Sequence, residues 1–102
     1  MRTREELQKK LVEIIGNNNV YFQPPSNVKM KYPAFRYQLD AIELQKADNK
    51  NYKKFRSYVV THIYQSLSNE LTDKMIDSFQ FIRFVNRSYV DGLYNDRYEL
   101  YW

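Results

Sequence analysis

Length, composition and charge narrow the range of proteins that this chain can be. Its 102 residues can form a single domain over 1–102, with room for one sheet and one or two helices but not for a second core. It has no cysteine, which excludes disulfides, thiolate catalysis and cysteine-bound zinc, and its net charge of +4 permits contact with nucleic acid without requiring it.

The aromatic content is the unusual feature of the composition. Ten Tyr, six Phe and one Trp supply much of the 43% hydrophobic share. Aromatic residues favour strands, and Tyr, Trp, Phe and Arg are enriched at protein interfaces. A chain this small cannot easily bury so many rings in one core. We therefore expect some of them at contacts with other subunits or proteins.

The sequence lacks the apolar segments that membrane insertion or export would need. No apolar run approaches the roughly 20 residues of a membrane span. The N-terminus is charged where a signal peptide has its apolar region. These features predict a protein that is made and kept in a cytoplasm.

The first element is a predicted helix over residues 3–15. Thr3 is suited to be its N-cap, and Glu6 three places later completes a capping box. Four aliphatic residues at helical spacing form one apolar stripe: Leu7, Leu11, Ile14 and Ile15. Gly16 is suited to end the helix.

A short strand at 20–23 and a proline-rich loop at 24–33 come next. Pro24 and Pro25 end the strand, because they cannot donate backbone hydrogen bonds and they restrict the preceding residues to extended shapes. Three loop residues have no evident place in a core and are candidates for a contact between proteins: Lys29, Met30 and Lys31.

A long antiparallel hairpin is predicted from two alternating stretches, 34–45 and 52–65. In the first, Phe35, Tyr37 and Leu39 share one face, whereas Arg36, Gln38 and Asp40 share the other. The phase slips near Asp40–Ala41, which indicates a β-bulge. In the second stretch Tyr58, Val60, His62 and Tyr64 alternate with Phe55, Ser57, Val59, Thr61 and Ile63.

The tip of this hairpin is the strongest charge cluster in the chain, with five basic residues against Asp48: Lys46, Lys50, Lys53, Lys54 and Arg56. Basic residues interleaved with aromatic rings are typical of surfaces that follow a phosphate backbone. Lysines at a hairpin tip also keep it soluble and discourage edge pairing. Both interpretations remain open at this point.

The last third of the chain predicts a short helix and further strands. The helix, at about 70–78, would turn four residues inward: Leu71, Met75, Ile76 and Phe79. A strand would follow at 79–86, and then a closing hairpin that turns at Asp91–Gly92 and ends at Trp102. The whole order predicts an α+β fold: a small antiparallel sheet with a long hairpin, packed by an N-terminal helix and a second short helix.

The residue pattern contains no recognisable catalytic, cofactor-binding or metal site, so we expect a protein that is not an enzyme. His62 stands without a Ser-His-Asp constellation, and a packed or interface histidine is the commoner case. Asp73 and Asp77 are spaced i, i+4, which usually marks a solvated helix face rather than a metal site. Two glycines, at 16 and 92, cannot make a glycine-rich phosphate loop.

Two stretches of the chain resemble the tail terminator, or tail-completion, proteins that join tail to head in tailed bacteriophages. One comprises VYFQPPSNVKMKYPAFRYQLD at 20–40 and KADNKNYKKFRSYVVT at 46–61, and the other is VNRSYVDGLYNDRYELYW at 85–102. The resemblance implies a homo-oligomeric ring, expected to be a hexamer, that ends growth of the tail tube. Its implied partners are further copies of itself, the tail-tube protein, the neck or head-completion protein and, in its lumen, genomic DNA.

Within such a virion protein we expect the hairpin 34–65 to form the main sheet and to contribute to ring contacts. Lys50, Lys53, Lys54 and Arg56 would face the lumen or a neighbouring ring. The loop 24–33 and the C-terminal strand would contact adjacent subunits or the neck, the strand through Tyr98, Tyr101 and Trp102. A head-closure or neck connector protein and a small nucleic-acid-binding protein are the alternatives.

Overall fold

The computed structural model describes residues 3–47, 51–66 and 71–102, with the backbone alone described at 43–47 and 51–55. These residues form two helices and five strands: α1 (Arg4–Ile15), β1 (Val20–Phe22), β2 (Ala34–Ala47), β3 (Asn51–Tyr64), α2 (Leu71–Ser78), β4 (Ile82–Val90) and β5 (Leu93–Tyr101). The strands make one sheet in the order β1-β2-β3-β5-β4. The predicted α+β fold with an N-terminal helix and a second short helix is confirmed.

The sheet is mixed rather than wholly antiparallel, which corrects one part of the prediction. β1 pairs with β2 in parallel, with Val20 opposite Phe35 and Phe22 opposite Tyr37, whereas the other neighbouring strands are antiparallel. Parallel strands need a crossover connection, and residues 23–33 supply it. This loop includes the cis peptide bond between Tyr32 and Pro33.

The α1 helix has the caps that its sequence predicts. The Thr3 hydroxyl accepts a hydrogen bond from the Glu6 backbone N–H, and the Glu6 carboxylate accepts one from the Thr3 backbone N–H. Gly16 ends the helix in the left-handed region at φ 79°. The indole N–H of Trp102 donates to the Thr3 carbonyl oxygen at 2.7 Å, so the last residue of the chain contacts the start of α1.

The core lies between the helices and one face of the sheet, which we call the covered face. Fully buried side chains from both layers meet there: Leu7, Leu11, Tyr37, Val60, Met75, Tyr98 and Leu100. Tyr37 also connects the layers through hydrogen bonds, because its hydroxyl donates to Gln8 Oε1 at 2.5 Å and accepts from the Arg4 guanidinium at 3.1 Å. The other side of the sheet, which we call the open face, has no described helix over it.

The long hairpin is confirmed, together with its bulge. β2 and β3 pair from Ala34 opposite Ile63 to Ala47 opposite Asn51, and the register shifts between Leu39 and Ala41 as the sequence predicts. The buried part of β2 ends earlier than expected, however. Leu39 continues the alternation of Phe35 and Tyr37 but is 37% exposed, although Tyr58 opposite it on β3 is buried.

The segment from α2 to β4 departs most from its prediction. Met75 and Phe79 are buried as expected, but Ile76 is 42% exposed. The strand begins at Ile82 rather than at 79, because Phe79 packs into the core directly after α2 instead of pairing in the sheet. The strand then continues to Val90, so two predicted pieces form one strand. Among the described residues, no helix is both long and apolar enough to cross a membrane.

Candidate protein-binding surfaces

The strand β4 forms one edge of the sheet and is almost entirely exposed. Every residue of β4 after Ile82 is exposed, although its hairpin partner β5 buries Asp96, Tyr98 and Leu100. Large apolar side chains lie along and beside this edge, at Phe81, Phe84, Val85, Tyr89 and Val90, with Tyr89 at 61% exposure. Long apolar edge strands pair readily with other chains, and monomeric proteins usually protect them.

The backbone of β4 also has hydrogen-bonding groups on its outer side, where no strand of the described residues pairs with it. The turn at Asp91–Gly92 has positive φ at both residues, 52° and 79°, as tight two-residue hairpin turns require. Val90 pairs with Leu93 and Tyr89 with Tyr94 across this turn. In such a hairpin alternate residues direct their N–H and C=O groups away from the partner strand. The register of β4 shifts between Phe84 and Asn86, so the regular stretch from Asn86 to Val90 can accept an added strand.

The open face of the sheet carries a row of polar residues in register. Arg36 on β2 pairs with Thr61 on β3, Thr61 with Arg97 on β5, and Arg97 with Asn86 on β4. Arg36 and Arg97 are exposed, and neither forms an ion pair or hydrogen bond within the described part of the chain. They border a hollow of about 170 Å³ that Gln38, Asp40, Val59 and Thr61 also line.

An ion pair between an exposed arginine and a buried aspartate joins β4 to β5 on the covered face. Arg87 donates two hydrogen bonds to the fully buried carboxylate of Asp96, at 2.6 Å from Nε and 3.0 Å from the terminal nitrogen. The Tyr64 hydroxyl donates to the same carboxylate at 2.8 Å. Burial and this hydrogen bond raise the pKa of Tyr64 to about 12, and the carboxylate raises the pKa of Arg87. Both groups keep their protons at neutral pH.

His62 lies beside this ion pair and is 1% exposed. Its ring stacks on Tyr64 at 4.4 Å between centroids and meets Phe35 edge-on at 5.3 Å. Burial lowers its pKa to about 4, although Asp96 acts in the opposite direction, so the imidazole is neutral at pH 7. Nδ1 has no hydrogen-bond partner among the described residues, and the ring lines a hollow of about 340 Å³ with Ile15, Tyr32 and Leu71.

These buried residues have the geometry of a packed polar network. Asp96 already accepts hydrogen bonds from Arg87 and Tyr64, and no serine or threonine hydroxyl is recorded as bonded to His62 in the described part of the chain. The described residues also contain no group of three or more potential metal ligands. Asp73 and Asp77, the carboxylate pair considered from the sequence, are both exposed on α2.

The predicted contact residues have different environments. Lys29 and Lys31 are exposed in the loop 24–33 and Met30 is half-buried beside them, so all three are accessible to a partner. Of the basic tip, Lys50 lies outside the described residues, as do the side chains of Lys46, Lys53 and Lys54. Arg56 is half-buried, and its carbonyl oxygen accepts from the Trp102 backbone N–H at 2.9 Å.

The C-terminal strand requires a correction. Tyr98 was expected at a subunit contact, but it is fully buried on the covered face, where its ring meets Phe84 edge-on. The alternation of β5 puts Tyr98 and Leu100 inward, and an isolated strand sequence does not reveal which face a helix will cover. Tyr101 and Trp102 are half-buried, and Trp102 packs against Phe79 at 5.8 Å between ring centroids.

Sequence reasoning missed the two most exposed features of the sheet. Arg36 and Arg97 are 61 positions apart, and only the pairing of β2, β3 and β5 puts them in one row. The exposed apolar residues of β4 resemble core residues in sequence, because a buried strand and an edge strand share the same composition. The position of the apolar residues Tyr89 and Val90 directly before a predicted turn was the sequence feature that could have indicated an edge strand.

Comparison with known proteins assigns no family to this chain. No protein-family model matches the sequence, and neither a curated protein nor a solved structure gives a match. The exposed surfaces of the sheet and the resemblance of the sequence are therefore what point to a function.

Proposed function

We propose that this chain is a structural virion protein of a tailed bacteriophage, a tail terminator. It forms a homo-oligomeric ring at the top of the tail, ends growth of the tail tube and joins the tail to the neck or head, and the genome passes through its lumen. In this role it performs no catalysis and needs no cofactor. Localisation is the virion, with the host cytoplasm as the place of assembly.

The observation that carries this proposal is the exposed β4 edge. All but one of its nine residues are exposed, and the apolar side chains of Val85, Tyr89 and Val90 accompany an outer backbone edge that no described strand pairs with. A protein that remained alone would leave this surface open to uncontrolled pairing. A protein that functions in an assembly has it covered by a partner through strand addition, which combines backbone hydrogen bonds with apolar contacts.

We assign the β4 edge to contact with the tail-tube protein. Ending the growth of a tube requires that the cap occupy the surface to which the next ring of tube subunits would add. Pairing by strand addition can satisfy this requirement, because backbone groups provide affinity even where side chains differ. The exposed loop 24–33, with Lys29 and Lys31, is then available for the neck protein.

The test is a tube-assembly experiment with the full chain and the tail-tube protein encoded beside it. Tail-tube protein polymerises alone or with this protein, and electron microscopy records tube lengths and the density at tube ends. We expect shorter tubes that carry an additional ring at one end. The variant Val90→Lys, which places a charge at a 54% exposed edge position, should restore uncapped growth.

Ile42→Lys is the matched control, because Ile42 is 51% exposed but lies on β2, which is separated from β4 by the two strands β3 and β5. It should cap tubes like the unmodified chain. Tubes of unchanged length with bare ends would contradict the tail terminator. Binding to the portal or neck protein without binding to tubes would instead support the head-closure alternative, and steeply salt-dependent binding of free duplex would support a nucleic-acid-binding protein.

A further inference from the structure

We infer that neighbouring subunits of the ring contact each other through the arginine row of the open face and the acidic outer side of α2. This inference rests on the proposed ring. The juxtaposition that carries it is an arginine pair on one side of the chain and a carboxylate pair on the opposite side, neither of which has an ion-pair partner among the described residues. The partner of each surface is thus a second copy of this chain.

The arginine side consists of Arg36 and Arg97 on either side of Thr61. Adjacent strands lie about 4.8 Å apart, so the two backbones are separated by about 10 Å. Because the side chain of Thr61 is small, a hollow of about 170 Å³ remains between the two arginines. This hollow can accommodate side chains from another surface. Arginine forks bind carboxylates with two parallel hydrogen bonds, which favours an acidic occupant.

The acidic side consists of Asp73 and Asp77 on α2. Met75 of the same helix is fully buried against α1 and the covered face, so the two aspartates lie on the side of α2 that faces away from the sheet. Residues four apart are neighbours on a helix surface, with Cβ atoms about 6 Å apart. Neither carboxylate has an ion-pair partner within the described part of the chain.

The two surfaces also match in their minor features. Asp40 lines the hollow beside the arginines, and Lys74 is exposed beside Asp73, so each side carries one charge of the opposite sign. Ile76 is 42% exposed to one side of the two aspartates, and Val59 is a half-buried apolar residue that lines the hollow. Charges of both signs and an apolar residue thus have counterparts across the contact.

Ring geometry explains why the two surfaces lie on opposite sides. A closed ring is built from head-to-tail contacts in which each subunit uses two different patches, one for each neighbour. In this two-layer chain the sheet presents one patch and the helix layer presents the other. The β4 edge lies at one side of the sheet layer, so it remains available for the tail tube.

The test is a charge-reversal experiment on the full chain with native mass spectrometry and sedimentation velocity. One variant carries Arg36→Glu with Arg97→Glu, and the other carries Asp73→Lys with Asp77→Lys. Within either variant the contact would bring like charges together, and like-charge juxtaposition weakens an interface by roughly a hundredfold or more. We expect each variant alone to lose the oligomer while its circular dichroism remains that of the unmodified chain.

The mixture of the two variants is the matched control, because it contains the same four substitutions. Glutamates of one variant would meet lysines of the other, and the native arginines would meet the native aspartates. We expect assembly to return, with the two variants alternating in rings of even subunit number. Oligomers formed by either variant alone, or no assembly in the mixture, would overturn the inference.

The unmodified chain separates this inference from the function on which it rests. If it forms rings, and the variants form them equally well, the arginine–aspartate contact is wrong while the tail terminator stands. If it forms no oligomer at high concentration or on tail tubes, the ring itself fails, and the contact fails with it.

Discussion

The two faces of the sheet differ in what they contact. The covered face holds the fully buried His62, Asp96, Tyr98 and Leu100, whose partners are the helices and each other. The open face of the same sheet holds Arg36 and Arg97, which have no partner among the described residues. Neighbouring residues of one strand, such as Asp96 and Arg97 on β5, thus have different roles because they lie on opposite faces of the sheet. The covered face determines stability, and we assign the open face to assembly.

The largest expected effect is on the covered face. Leu100→Ala removes a fully buried side chain from the core and should lower the free energy of unfolding by about 3 kcal/mol, because the lost burial and the resulting cavity both destabilise. Urea denaturation measures this change. Val90→Ala, at a 54% exposed position, should change the unfolding free energy by less than about 0.5 kcal/mol. Equal losses in the two variants would contradict the described burial.

The next effect is a dependence of stability on pH through His62. Its pKa is lowered from 6.5 to about 4 in the folded chain, so the unfolded chain binds the proton more tightly. Stability should therefore fall as the pH drops from about 6.5 to about 4, by up to about 3 kcal/mol. Denaturation midpoints measured across this range test the prediction.

His62→Phe supplies the control for the pH profile. Phenylalanine keeps an aromatic ring between Phe35 and Tyr64 but cannot bind a proton. The variant should lose the part of the acid sensitivity that lies between pH 4 and 6.5, whereas carboxylates that titrate in the same range affect both proteins alike. A variant with the same slope as the unmodified chain would show that His62 does not cause the dependence.

The smallest expected effect on stability is on the open face. Arg97→Ala removes an exposed side chain without a described partner and should change the unfolding free energy by less than about 0.5 kcal/mol. The same variant should weaken subunit association, which sedimentation equilibrium measures. A large loss of stability with unchanged association would reverse the roles that we assign to the two faces.

Several features followed directly from local sequence signals. Thr3, Glu6 and Gly16 predict the limits of α1, since caps depend on residues within one turn of the helix end. The phase slip near Ala41 predicts the bulge, and Asp91–Gly92 predicts the turn between β4 and β5. Each of these depends on neighbours in the chain, so a single sequence contains the required information.

Other features depended on contacts between distant residues. The pairing of β3 with β5 buries Tyr98, places Asp96 opposite His62, and puts Arg97 two strands away from Arg36. Leu39 is 37% exposed, which its alternation with Phe35 and Tyr37 alone did not indicate.

The sequence by itself determined the helices, the hairpin and the turns, because capping, periodicity and turn chemistry act over a few residues. Only the tertiary structure decided that β4 lies at an edge, which face is covered and which polar residues share a row. These properties arise from the order in which strands pair and from the position of the helices on the sheet. No short stretch of residues contains that information.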